Sequence, residues 1–260
     1  MHSSDCGARR HASNSPAAAD DDIAPPGAVD RALQFLFAPT CAACQGPLPR
    51  PSVSPVCDAC WTALPRYPAA LVQTALPDGI DWLRSLGPYD GSLRAILHAL
   101  KYDGRQTLAT RLAAELGPLL QGVGGSPPPL VVPVPLHPAR SLTRGFNQAE
   151  RLARALPAGW PVRLALARQR AASTQTHFRR DQRQENVAHA FSVCRAAWWR
   201  TSATHLAGAH VVLIDDVVTT GATLAACARV LREAGVAGVG AITVARTERR
   251  LPSRRSPSTA

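Results

Sequence analysis

The sequence predicts an α/β fold: an open, mostly parallel sheet flanked by helices on both faces, with a small four-cysteine module ahead of it. Three observations carry this. From Leu86 onward, short apolar runs of strand length alternate with segments of helical spacing. The stretch 210–214 (HVVLI) is an unbroken apolar run after its first residue, as expected of a strand buried on both faces. Four cysteines crowd a Pro-rich stretch, 39–68, too small to build a core of its own.

Taken in order, residues 1–26 mix Ser, Ala, Asp and Pro with little apolar content and read as a disordered lead-in. The segment 28–37 (AVDRALQFLF) has the spacing of a short amphipathic helix, and with the cysteines it makes a module over 27–68. A linker is expected at 69–83, and the main domain at 84–247. Within that domain, helical spacing is read at 93–100 and 108–120, and a Gly/Pro loop at 122–129. A strand at 130–134, a helix at 147–156 and a further strand at 162–166 follow. The strand at 210–214, a helix at 222–234 and a strand at 238–245 close the domain. The tail 248–260, rich in Arg, Ser and Pro, reads as disordered.

Composition narrows the function classes. No apolar run reaches the ~18 residues of a membrane helix. Arg9 and Arg10 are followed by no apolar stretch, so no secretory signal is read and the cytoplasm is the expected compartment. The net charge of +11 favours polyanionic company: phosphates, nucleic acid or a membrane surface. The alternative is a sequence that uses Arg wherever any solvated cation will do. Of the 29 basic residues 28 are Arg, and Lys101 is the single lysine. A site that needs a compact ammonium cannot accept a planar guanidinium, which makes Lys101 a functional candidate.

Cys41-x-x-Cys44 and Cys57-x-x-Cys60 are two knuckles separated by twelve residues. Each brings two thiolates to one ion across a tight turn, and together they complete a tetrahedral four-thiolate zinc site. Such a site has no open position and serves folding or docking. Disulfides are the competing account, disfavoured in a chain without a secretory signal. Cys6, Cys194 and Cys227 lack such a partner, and Cys227 sits on an apolar helix face as a small core residue.

The strongest signal is HVVLIDDVVTTGATL, 210–224. A buried strand delivers Asp215 and Asp216 at its C-terminal edge, where ligands of open α/β sheets bind. The loop Val217, Val218, Thr219, Thr220, Gly221 leads into a helix that starts at Ala222 and carries Thr223 in its first turn. A helix start offers unpaired amides to an anion, and the threonine hydroxyls add donors. Acids beside a phosphate cradle suit a ligand with both a phosphate and vicinal hydroxyls. A helix cap after a strand explains one Asp and one Thr, but not the whole string. Upstream, 131–151 reads VVPVPLHPARSLTRGFNQAER. Its prolines force an irregular strand edge. His137, Arg140 and Arg144 follow on a loop, where guanidinium forks suit a pyrophosphate or serve as solvated charges. Asn147 is placed to cap a helix, and Gln175, Arg183 and Asn186 lie in a polar stretch that ends at Phe191. Trp198 and Trp199 fit packing under a loop better than base stacking.

The segment 210–224 resembles the phosphoribosyl pyrophosphate (PRPP) signature of type I phosphoribosyltransferases. Leu100-Lys101, PVPLHP, RGFNQ, the Gln175…Arg183…Asn186…Ala190-Phe191 stretch and DDVVTTGAT, after four cysteines, resemble the ComF family over roughly 33–247. His189 stands where that pattern has glycine. The resemblance implies that Asp215 and Asp216 bind the ribose and that 217–223 with Arg144 hold phosphate groups; for such a ligand, Mg²⁺ with Arg140, Arg144 or Lys101 would stabilise the leaving pyrophosphate. It also implies a link to DNA uptake in natural transformation, with single-stranded DNA and competence proteins as partners. Three functions follow as expectations: phosphoribosyl transfer, a non-catalytic PRPP sensor, or a single-stranded DNA binder.

Overall fold

The computed structural model describes residues 39–48, 54–68, 75–102, 107–125, 127–136, 145–169, 190–194 and 206–248, all within the unit Pro39–Ala260. The lead-in, the helix expected at 28–37 and all of the tail but Glu248 lie outside the described residues.

Helix α1 (Asp58–Thr62) grows out of the second cysteine pair. Strand β1 (Trp82–Pro88) is followed by α2 (Gly91–Tyr102) and α3 (Thr107–Leu116). Then come β2 (Leu130–Pro133), α4 (Gln148–Arg154), β3 (Leu166–Arg168) and β4 (Phe191–Val193). The order ends with β5 (His210–Val218), α5 (Ala222–Glu233) and β6 (Gly238–Arg246). Four strands form one sheet in the order β1-β6-β5-β2, every pair parallel, while β3 and β4 make a separate antiparallel ribbon. Among the described residues no helix is long and apolar enough to cross a membrane.

Successive strand residues face opposite sides, so β5 serves two layers. Val212 and Ile214 join the apolar cluster of α2, α3 and α4, with Leu97, Leu100, Leu112 and Leu152. Val211 and Leu213 join the other cluster, with Leu224, Cys227 and Leu231 of α5 and Leu166 and Phe191 of the ribbon. Helix α2 buries Leu93, Ile96, Leu97 and Leu100, the i, i+3, i+4, i+7 stripe of an amphipathic helix.

The cysteine segment has no core of its own and shares that of the main domain. Cys41, Val56, Trp61 and Leu64 belong to the same cluster as Leu93 and Leu97. The Arg111 guanidinium of α3 lies 4.6 Å from the Trp61 ring centre and 3.2 Å from Asp58, and Arg66 pairs with Glu115 at 3.0 Å. The amide of Tyr67 donates to the Leu86 carbonyl of β1 at 2.8 Å.

Several expectations need correction. The strand β1 begins at Trp82, inside the expected linker 69–83, because an edge strand tolerates the polar Arg84 and Ser85 that hid it. The expected 108–120 helix ends at Leu116 and continues as a 3₁₀ turn, Gly117–Leu120, because Pro118 has no amide for the α-helical bond. At the expected strand 162–166, Val162 makes only an isolated bridge to Val131, and the regular strand starts at Leu166. β5 does not stop at Ile214 but runs to Val218, because β6 continues beside it: Val217 pairs with Ala245 and Val218 with Arg246. Thr247 is also tied down, its amide donating to Val218 O at 3.0 Å, and Glu248 accepts from the Tyr67 hydroxyl at 2.9 Å.

Candidate functional site

Cys41, Cys44, Cys57 and Cys60 come together with all four sulfurs within 4.8 Å of one another. The first knuckle closes through Cys41 N to Gly46 O and Gln45 N to Cys41 O, with Gln45 in the left-handed region at φ 61°. The second is the start of α1, where Trp61 N donates to Cys57 O. Cys44 Sγ lies 3.9 Å from Cys57 Sγ. Tetrahedral zinc with Zn–S bonds of about 2.3 Å requires sulfurs about 3.8 Å apart, so the donor set fits that ion. Burial alone would raise the Cys41 thiol, yet amide donors from Cys44, Cys57 and Ala43 outweigh it and bring it down to about 6. Burial and its sulfur neighbours push Cys60 up instead. The Cys41 sulfur is thus favoured as the thiolate that a metal ion needs.

The acids lie on β5, two and three residues before its end, and they answer to different layers. Asp216 faces α2, where Lys101 Nζ sits 2.7 Å from Asp216 Oδ2 with both side chains 16% exposed. Asp215 faces α5, and its charge is felt at the Cys227 thiol. Burial pushes the Asp215 carboxyl up to about 8; the Asp216 charge adds to this, while the Asp216 amide, donating to Asp215 Oδ1 at 2.8 Å, and Lys101 oppose it. A protonated Asp215 beside a salt-bridged Asp216 offers both a donor and acceptors to a ligand.

Beyond Val218 the chain turns through an exposed Thr219 and Thr220 into Gly221, at φ +83°, and then α5. Gly221 is required here: a Cβ would lie 2.5 Å from Pro77 Cγ in a backbone region that side chains avoid. The Thr220 hydroxyl accepts from Ala222 N at 3.4 Å. A cleft of about 490 Å³ opens over this strand end, lined by Lys101, Asp215, Asp216, Val217, Thr219 and Thr223. Residues from α2, β5 and α5 therefore converge on one cleft, while Thr220, Gly221 and Ala222 do not line it. Val218 does not line the cleft; its side chain is buried, and its carbonyl is held by Thr247. Arg140 and Arg144 lie outside the described residues, as do His137, Gln175, Arg183, Asn186, His189, Trp198 and Trp199.

Sequence reasoning missed Tyr89, His98, Gln148 and Arg168, which also line the cleft. His98 was findable, since it lies one turn before Lys101 on the same helix face. Arg168, 5.0 Å from the Phe191 ring, carried no spacing signal. Asn147 does cap α4, accepting from Ala149 N at 3.1 Å, and its Nδ2 donates to Val134 O at 3.0 Å.

Known proteins resemble this chain in the same terms. The family model described as the phosphoribosyl transferase domain matches residues 141–259. The DNA utilization protein YhgH of Salmonella typhimurium is 32% identical over 176 residues, 64% of this chain and 73% of that protein. Competence protein ComFC of Bacillus subtilis is 29% identical over 167 residues, 63% of this chain and 64% of its own. Competence protein F of Haemophilus influenzae is 32% identical over 112 residues, 42% of this chain and 46% of its own. With a parallel sheet ending in paired acids and a threonine-glycine turn, beside a four-cysteine group, the chain belongs to the ComF family of type I phosphoribosyltransferase-like proteins.

Proposed function

We propose that the cleft binds PRPP. The observation that carries this is the convergence of Lys101, Asp215 and Asp216 with Thr219 and Thr223 around one opening, from helices on both faces of the sheet. The turn 219–223 would hold the 5′-phosphate through α5 amides and threonine hydroxyls. The acids would take the ribose hydroxyls. Asp216 is already neutralised by Lys101, so Mg²⁺ would come with the ligand's diphosphate, bound chiefly by phosphate oxygens and water. The zinc site would serve folding.

If the bound ligand reacts, departure of pyrophosphate leaves positive charge on the ribose ring. The acids would orient the ring through its hydroxyls, and Lys101 would counter the leaving anion. Binding stands ahead of transfer, because among the described residues no acceptor pocket is distinguished within the cleft. The experiment is calorimetry with PRPP and Mg²⁺ on the wild type and on an Asp215→Ala, Asp216→Ala double variant. Saturable binding lost in the variant supports the assignment, and no binding by the wild type refutes it. Labelled PRPP then separates an enzyme, which releases pyrophosphate, from a sensor, which does not.

The relatives' names point the physiological role toward DNA uptake and utilisation. The charge of +11 favours a direct contact with single-stranded DNA as a second reading. It requires an affinity that falls steeply with salt and survives the double substitution. Binding that disappears with the acids would reject it.

A further inference from the structure

We propose that Gln148 is a further binding residue of the cleft, its Nε2 donating to an oxygen of the ligand's pyrophosphate arm, across the end of β5 from the threonine turn. This deepens the PRPP assignment and rests on it. Gln148 opens α4 and is 2% exposed. Among the described residues its Nε2 has no hydrogen-bond partner, although it lines the cleft together with Lys101 and both acids. Buried amide donors are nearly always paired, and leaving one unmet costs stability. The neighbouring Asn147 already caps the helix and holds Val134, so Gln148 is not needed for either task. Its donor is left for something that enters the cleft, and a donor selects an acceptor.

Topology says which end of the ligand it meets. The threonine turn leads into α5, whose apolar face packs on one side of the sheet with the ribbon. Leu152 and Ala153 of α4 pack in the opposite layer, with α2 and α3, while at its head Ala149 reaches the α5 layer and Asn147 is tied to Val134, just past β2, the strand beside β5. The two substituents of a ribose leave the ring at opposite ends. With the 5′-phosphate at the head of α5 and the ring over the acids, the C1 substituent runs toward the head of α4. In PRPP that substituent is the diphosphate.

Gln148→Met, similar in volume and without a donor, tests this alongside Gln148→Glu. Titrations use PRPP with Mg²⁺, ribose 5-phosphate, which lacks the arm, and inorganic pyrophosphate with Mg²⁺, which is the arm alone. Gln148→Met is expected to weaken PRPP and pyrophosphate about tenfold, the scale of one hydrogen bond to a charged acceptor. Ribose 5-phosphate should stay within about twofold, and the melting temperature of the free protein should not fall, because no bond is lost. Gln148→Glu should weaken PRPP further by repulsion. Equal losses for PRPP and ribose 5-phosphate, unchanged PRPP affinity, or a melting temperature lowered by Gln148→Met would each overturn the role. A wild type that binds none of the three probes would instead sink the PRPP assignment beneath it.

Discussion

Replacing Lys101 by Met removes one charge from a pair whose atoms are 2.7 Å apart and whose side chains are 16% exposed. At an effective dielectric of about 20, two unit charges at that distance attract by about 6 kcal/mol, much of which desolvation already cancels. The variant does not undo both halves. Asp216 keeps its desolvation and loses its counter-charge, which costs about 3–5 kcal/mol in fully buried pairs. Residual water at both groups lowers the expectation to about 2 kcal/mol, a melting-temperature fall of about 4–8 °C. The loss has a pH signature. Lys101 is one of the groups holding Asp215 down, so without it the Asp215 carboxyl rises beyond about 8. Scanning calorimetry should therefore find a larger loss at pH 9 than at pH 6. Lys101→Arg, with a longer planar head, should recover less than half of the lost stability and little of the PRPP affinity. Equal losses at both pH values, or full rescue by arginine, would refute the reasoning.

Three other outcomes are expected. In the wild type, Asp215 is raised from 3.8 to about 8, so between those values the folded state holds a proton that the unfolded state has lost. Stability from this group is complete below about 4 and fades as pH rises through about 8, by at most about 1.4 kcal/mol per pH unit; Asp215→Asn should flatten that slope in a melting series from pH 5 to 9. Elemental analysis should find one zinc per chain, and Cys44→Ser should lose it together with about 3 kcal/mol or more of stability, measured by urea unfolding. Gly221→Ala forces a side chain into the left-handed region and toward Pro77; it should cost about 1–2 kcal/mol and lower PRPP affinity at least about tenfold by displacing the turn.

The parts of this molecule that could be read from sequence are those where one local string carries the whole physical demand. The apolar run of β5, its paired acids and the threonine-glycine turn needed no distant partner to be recognised, nor did the two cysteine knuckles. Lys101 stood out because every other basic residue is Arg. The misses depended on partners far along the chain. β1 looked polar because Ser85 is satisfied across the sheet by Thr243, at 2.8 Å, and Arg84 by the carbonyls of Leu119 and Gln121. The true end of β5 is set by the length of β6, which no local rule gives. Gln148 was not singled out within the RGFNQ string; its unmet donor exists only once α4 is packed against β2 and β5.

Because Asp215 and Asp216 are consecutive on one strand, a single sugar that touched both would be tied to α2 through the Lys101 pair of Asp216 and would reach, at Asp215, the face of the sheet that α5 covers. Occupancy would then join the helical layers on the two faces of the sheet. Amide exchange in the last turn of α2 and the first turn of α5 should slow in concert when the ligand arrives, though these turns lie on opposite sides of the strand that holds it.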